Sequence, residues 1–181
     1  MRFEKTVLLK NGKEALIRSG NEGDGKAALE VFDITHAETD YLLSYPEESS
    51  LNAEQEAQYL KEKMESDREA ELIAVIDGRV AGLAGINSVG NKYKVKHRAE
   101  FGISILKEYW GIGLGKAMTE ACIKCAADAG YDQLELNVAS ENGRAMALYR
   151  SLGFVEFGRN PVGFNSKISG YQELVYMMLR L

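Results

Sequence analysis

The chain has 181 residues, of which 45% are apolar and 9% aromatic, enough for one sizeable core and short for two ordinary domains, so residues 1–181 read as a single domain. Asp and Glu outnumber Lys and Arg by 27 to 22, and the resulting net charge of -5 argues against broad binding to a nucleic-acid backbone or an anionic membrane; a phosphate ligand would have to be held locally. The longest apolar run, residues 174–179, is far below the ~20 residues of a membrane span, and the opening MRFEKTVLLKNGKEAL carries no uninterrupted apolar segment of the kind a secretory signal needs, so a cytoplasmic protein is expected.

Periodicity predicts the following elements in chain order. A strand near residues 15–18 precedes a helix over about residues 24–43, on which Ala27, Val31, Ile34 and Ala37 recur every three to four positions. A second helix starts at NAEQ, where Asn52 caps and Gln55 reciprocates, and carries Leu60 and Met64. The period then changes. ELIAVIDGRVAGLAGI predicts two strands joined at Asp77-Gly78, a pair suited to the positive φ angles of a tight hairpin. RAEFGISI alternates Ala99, Phe101, Ile103 and Ile105 against Arg98, Glu100, Gly102 and Ser104, so one face of this strand is core; the lone Gly102 marks a place for a bulge.

A glycine-rich stretch follows, EYWGIGLGKAMTEA, and then a helix with Leu114, Met118, Ala121, Cys122, Cys125 and Ala129 on one face and Gly130 at its end. DQLELNV is a further strand. NGRAMALYRSLGF predicts a short helix capped by Asn142 and stopped at Gly153, and two last strands lie near residues 155–158 and 171–181. Strands alternate with helices in the second half, which predicts an α/β or α+β mixed sheet with helices on its faces.

The only two cysteines, Cys122 and Cys125, form a C-x-x-C, but both fall on the apolar stripe of the predicted helix, and only His36 and His97 remain as further nitrogen ligands, at no recommending spacing. They are expected to be buried thiols, with no metal.

Three glycines at alternate positions before a helix, Gly111, Gly113 and Gly115, suit a turn whose backbone N–H groups and helix dipole hold an anion. A glycine-rich connection without a ligand is the plain alternative, though each glycine costs ~0.5–1 kcal/mol where the chain is helical. A P-loop counted back from Gly115-Lys116 has Trp110 for its first glycine and Ala117 for its magnesium-binding hydroxyl, and a G-x-G-x-x-G begun at Gly111 meets Lys116 at its third glycine; both motifs fail.

The stretch resembles the acyl-CoA-binding motif of the GNAT family of N-acetyltransferases, Arg/Gln-x-x-Gly-x-Gly/Ala, with Gly113 and Gly115 as its glycines and Trp110 departing from its Arg/Gln. Downstream, Asn142, Ala145, Leu148, Tyr149, Gly153 and Phe154 are similar to a second hallmark of that family, and Tyr171, Glu173 and Met177 to its closing strand. The likeness spans roughly residues 71–181. It implies six or seven mostly antiparallel strands with four helices, parallel only at the two strands flanking the CoA-binding helix. It also implies acetyl-CoA as acetyl donor, a small-molecule or peptide amine as acceptor, direct attack in a ternary complex, and a homodimer.

By the same resemblance the CoA pyrophosphate meets the backbone of Gly111, Ile112, Gly113, Leu114, Gly115 and Lys116. Ile103, Ser104 and Ile105 lie beside the thioester, where adjacent strands splay, and Asn137 and Asn142 contact the CoA arm. Lys116, with Arg144 or Arg150, reaches its outer phosphates. Tyr149 is expected to protonate the leaving thiolate, a phenol near pKa ~10 against a thiol near ~8.5. Glu100 is expected to accept the amine proton, aided by burial or an ordered water, unless it is a solvated strand glutamate or a partner of Arg98. The loop TDYLLSYPEESS and the loop NPVGFNSKISGY would wall the acceptor, with Tyr41, Tyr45, Glu47 and Glu48 suited to a cationic amine. A non-catalytic acyl-CoA-binding domain on the same fold is the rival, in which Tyr149 transfers no proton.

Overall fold

The computed structural model describes residues 1–181. Eight strands form one sheet: β1 (Glu4–Leu8), β2 (Glu14–Ser19), β3 (Ala70–Ile76), β4 (Arg79–Ser88), β5 (Arg98–Ile105), β6 (Gln133–Ala139), β7 (Val155–Ser166) and β8 (Gly170–Arg180). Their order is β1-β2-β3-β4-β5-β6-β8-β7, and the β5–β6 pair alone is parallel. Four helices cover the sheet: α1 (Gly25–Glu38), α2 (Ala53–Glu65), α3 (Leu114–Asp128) and α4 (Gly143–Ser151).

The helices start where the sequence provides caps. Asn52 accepts from the N–H groups of Glu54 and Gln55 while Gln55 returns a bond to the Asn52 N–H, a complete capping box. Asn142 accepts from Ala145 N at 3.2 Å. Asp77 at φ 51° and Gly78 at φ 81° make the β3–β4 hairpin, and Gly130 and Gly153 end their helices in the left-handed region.

Two cores sandwich the sheet. On one face α3 and α4 cover the larger cluster, in which Leu114, Met118 and Cys122 are 0% exposed; burying each of the first two contributes roughly 1.5–3 kcal/mol. Cys122 and Cys125 are free and lie in this core, where burial pushes both thiols up, that of Cys125 to about 11. On the other face α1 and α2 pack over a smaller cluster around Ile73, Leu83 and Leu106.

Four expectations need correction. The sheet has eight strands rather than six or seven, because β1 pairs with β2 from Glu4↔Arg18 to Leu8↔Glu14 although only Val7 in it is even half-buried; an outer strand without a buried face leaves no periodic signal. Helix α1 ends at Glu38 rather than near residue 43, since Thr39 is extended; its fully buried residues are Gly25, Ala28, Val31 and Thr35, and of the expected stripe Ala27 and Ile34 pack half-buried beside Val31. Gly102 forms no bulge: it stands opposite Gly85 in an unbroken β4–β5 register, and the irregularity lies between Ala74 and Val75 instead. Most of NPVGFNSKISGY is strand, because β7 continues to Ser166 against β8 across a register shift between Asn160 and Phe164.

Candidate functional site

Strands β5 and β6 pair only from Arg98↔Gln133 to Glu100↔Glu135, and no further pairs join them. On its other side β5 bonds to β4, with Leu106 N donating to Ala81 O and Val89 N to Arg98 O. Alternation along the strand therefore aims the main-chain N–H and C=O groups of Phe101, Ile103 and Ile105 at the space β6 has left. A cleft of about 700 Å³ opens there, floored by β5 and β6 and walled by α3, α4 and the end of α1.

At one end of the cleft lies the glycine turn. Gly111 and Gly113 have φ of 82° and 95°, which only glycine adopts freely, and nothing crowds the space a Cβ would fill except the Lys10 side chain, 3.7 Å from the position at Gly113. Gly115 has no positive φ, and a Cβ there would make only ordinary contacts, with Leu148 at 3.4 Å and Ile105 at 3.6 Å. No side chain caps α3, and its first internal bond runs from Ala117 N to Gly113 O. The N–H groups of Leu114, Gly115 and Lys116 thus lack helical partners and present a partial positive charge to the cleft.

Tyr149 stands midway. Its ring is edge-on to Phe101 at 6.1 Å and tilted on Phe154 at 5.8 Å, so packing from β5 and the end of α4 fixes its direction. The residue is 7% exposed, and burial alone pushes its phenol well up, which keeps the proton on the oxygen through neutral pH. Glu100 and Asn137 meet across the strand gap, Asn137 Nδ2 donating to Glu100 Oε1 at 3.4 Å. Both are exposed, so the burial expected around Glu100 is not there. Nor is Glu100 the partner of Arg98, whose guanidinium grips both oxygens of Glu135.

Of the residues expected at the donor, Ile103, Ser104, Ile105, Gly111, Gly113, Gly115, Lys116, Asn137, Asn142 and Tyr149 line the cleft. Ile112 and Leu114 do not; Leu114 is wholly buried, Ile112 packs against the same core, and only their main-chain groups belong to the turn. Arg150 points away, 3.8 Å from Glu156. Of the residues expected at the acceptor, Tyr41 lines the cleft beside Thr35, Thr39 and Phe164. Tyr45, Glu47 and Glu48 do not reach it: the Tyr45 hydroxyl accepts from Lys167 N at 2.8 Å, Glu47 pairs with Lys167 Nζ at 2.7 Å, and Glu48 accepts from Tyr45 N. Tyr45 and Glu47 hold the loop to the β7–β8 hairpin, and Glu48 closes the turn within the loop.

Sequence reasoning missed Lys10, Thr35 and Thr39. Lys10 sits between β1 and β2, about a hundred positions from the turn it touches, and carries no motif; only the bond from Lys10 N to Ile112 O at 3.0 Å brings it in. The two threonines lie on the last turns of a helix whose end the periodicity overran.

Residues 33–154 match the acetyltransferase (GNAT) family model. A solved GNAT acetyltransferase from Streptococcus pneumoniae superposes with a TM-score of 0.87 at 27% identity, over 92% of this chain and 99% of that one. The structure of yncA from Salmonella typhimurium with its cofactor acetyl-CoA gives a TM-score of 0.81 at 19% identity, over 92% of this chain and 94% of that one. The L-amino acid N-acyltransferase MnaT of Escherichia coli is 28% identical over 111 residues, which are 61% of this chain and 63% of MnaT. The chain spans between 17% and 63% of the length of the curated relatives it matches. A family model that covers two thirds of the residues, on a fold shared almost end to end with a solved member, means that the chain belongs to the acetyltransferase (GNAT) family.

Proposed function

We propose that the protein is an acetyl-CoA-dependent N-acetyltransferase that passes the acetyl group directly to a primary amine in a ternary complex. The observation that carries this is a single cleft joining an uncapped helix N-terminus, a strand edge with unpaired main-chain groups, and a buried neutral phenol. The residues fit acetyl-CoA. The glycine turn and the first N–H groups of α3 suit its pyrophosphate, the edge of Ile103 and Ile105 suits the amides of its pantetheine arm, and Asn137 and Asn142 offer side-chain amides along the same path.

Acetyl-CoA supplies a thioester, whose carbonyl carbon accepts the amine nitrogen as the C–S bond breaks. The protein's part is to hold the two groups together, to bind the developing negative charge on oxygen with main-chain N–H groups of β5, and to move two protons. Tyr149 gives its hydroxyl proton to the departing sulfur and recovers one from solvent. Glu100 takes a proton from the amine, directly or through water, at the side of the gap opposite the core. No carboxylate other than Glu100 lines the cleft, so it also supplies the charge that would attract a cationic acceptor. A small amine acceptor agrees with the L-amino acid substrate in the name of MnaT.

The test is thiol release from acetyl-CoA against a panel of amino acids, polyamines, aminoglycosides and short peptides, for the wild type and Tyr149→Phe. Amine-dependent release that drops at least roughly tenfold in the variant supports both the transfer and the acid, within the usual range for general acids. Binding of acetyl-CoA without release for any amine, together with equal behaviour of Tyr149→Phe, would point to an acyl-CoA-binding domain instead.

A further inference from the structure

The glycine turn is ringed by cations from three separate parts of the chain. Lys116 stands on the first turn of α3, where it lies 3.7 Å from Glu120. Arg144, on the first turn of α4, holds its guanidinium 5.3 Å from the centre of the Trp110 ring. Lys10 comes from the β1–β2 connection, its Cγ 3.7 Å and its Cε 3.9 Å from the place of a Cβ at Gly113. Lys10 and Arg144 are exposed, both line the cleft, and neither takes part in any of the molecule's ion pairs.

In a chain of net charge -5, eleven of the other twenty Lys and Arg side chains are in ion pairs. Two unpaired cations converging on the same uncapped helix start, across 134 positions of sequence, are placed for an anion with more than one phosphate. Trp110 explains how Arg144 is aimed. Its indole N–H donates to Ile105 O at 2.7 Å, which fixes the ring at the lip of the cleft, and the fixed ring gives the guanidinium a face to lie over. The position where the family motif has Arg or Gln thus carries no charge of its own in this chain; it is a platform for a charge from α4.

Resting on the acetyl-CoA reading of the cleft, we infer that Lys10 and the Trp110-backed Arg144 form a clamp on the outer phosphates of CoA, its diphosphate and 3′-phosphate, and that the clamp makes the β1–β2 connection part of the donor site. Lys10 is suited to the task because its loop is tethered by a main-chain bond to Ile112, which the loss of its side chain leaves in place.

Calorimetric titration of the intact chain with CoA and with 3′-dephospho-CoA, at low and moderate salt, tests this. Lys10→Ala and Arg144→Ala should each weaken CoA binding by roughly threefold to twentyfold, the range between an exposed ion pair and a charged hydrogen bond. The double variant should also flatten the salt dependence of binding, since fewer charges face the phosphates. Arg144→Lys should restore only part of the loss, because an ammonium keeps the charge without the planar face. A Lys10→Ala effect that disappears with 3′-dephospho-CoA assigns Lys10 to the 3′-phosphate, and one that persists assigns it to the diphosphate; both support the clamp. CoA affinities of both single variants within twofold of a wild type that does bind CoA would overturn the clamp and leave the acetyl-CoA reading standing. A wild type that binds no CoA would overturn both.

Discussion

The indole N–H of Trp110 closes onto the carbonyl of Ile105 at 2.7 Å and thereby fills the last open acceptor on the β6-facing edge of β5. Main-chain groups further back along that edge stay open, so Trp110 sets where the polar floor of the cleft ends and the glycine turn begins. Trp110→Phe keeps the ring and deletes the donor. It should cost about 1 kcal/mol, as a partly buried hydrogen bond does, and weaken CoA binding by less than Arg144→Ala does, since the ring stays as a platform but loses its anchor. Trp110→Ala removes the platform under Arg144 as well and should weaken CoA binding by as much as Arg144→Ala. Urea unfolding together with CoA titration of the two variants separates the donor from the platform.

Glu100 is the one carboxylate at the cleft, on the exposed face of β5 and within reach of Asn137. Glu100→Gln should leave the affinity for CoA unchanged while the amine-dependent kcat/KM falls roughly tenfold to a hundredfold, the usual worth of a general base or of a charge that orients the acceptor. A larger loss for cationic than for neutral amines would assign Glu100 to attraction, and an equal loss for both would assign it to proton transfer. Steady-state rates with matched cationic and neutral amines give the answer. A loss below threefold for every amine would remove Glu100 from the site.

A second carboxylate has a thermodynamic rather than a catalytic consequence. Glu71 in β3 lies under α2, its Oε2 3.5 Å from the Tyr59 hydroxyl and over the bare backbone of Gly85, with Glu56 and Lys63 of the same helix facing it. Burial, reinforced by Glu56, raises its carboxyl from 4.5 to about 8. The folded state therefore holds a proton that the unfolded chain releases. The stabilising contribution is complete below pH 4.5 and is lost as pH rises towards about 8, with a slope of at most ~1.4 kcal/mol per pH unit. Glu71→Gln, neutral at every pH, should be close to the wild type at pH 5 and more stable at pH 8. At ~2–4 °C per kcal/mol for a chain of this size, the gap in Tm should widen by several degrees between those two pH values. Parallel thermal scans check it; a gap independent of pH would mean that Glu71 is ionised when folded.

Much of this architecture is written into local patterns. The strand RAEFGISI shows its core face by alternation, Asn52 and Asn142 announce helix starts, and the glycine stretch with its downstream Asn142, Tyr149 and Gly153 marks the donor site proposed above. What the sequence hides is what depends on distant chain. Strand β1 has no buried face, so only its pairing with β2 defines it. Lys10 reaches the turn through that pairing, and nothing near position 10 foretells it. Tyr45, Glu47 and Glu48 have a composition suited to an amine, but composition cannot tell a side chain facing a cleft from one spent within its own loop, as Glu48 is, or on a hairpin 120 positions later, as Tyr45 and Glu47 are.

That hairpin contact yields the last prediction. Asp40, just past the end of α1, accepts from Ser166 Oγ at 2.7 Å, Ser169 Oγ at 2.9 Å and Gln172 Nε2 at 3.2 Å, while the Tyr45 hydroxyl reaches Asp40 at 3.3 Å. These bonds hold its carboxyl below its usual range, that from Ser166 first. They fasten the segment that carries Tyr41, Leu42 and Leu43 to the hairpin whose first strand carries Phe164, and all four residues line the cleft. The clasp is polar and near the surface, so its loss should loosen the wall without unfolding the sheet. Asp40→Ala should raise KM for the amine several-fold and leave CoA affinity as it was, because the donor turn lies at the far end of the cleft. Limited proteolysis should cut the variant between residues 40 and 50 faster than the wild type, since the opened loop exposes its backbone. Unchanged cleavage together with an unchanged KM would show that apolar packing of the wall, not the Asp40 clasp, shapes the acceptor end of the site.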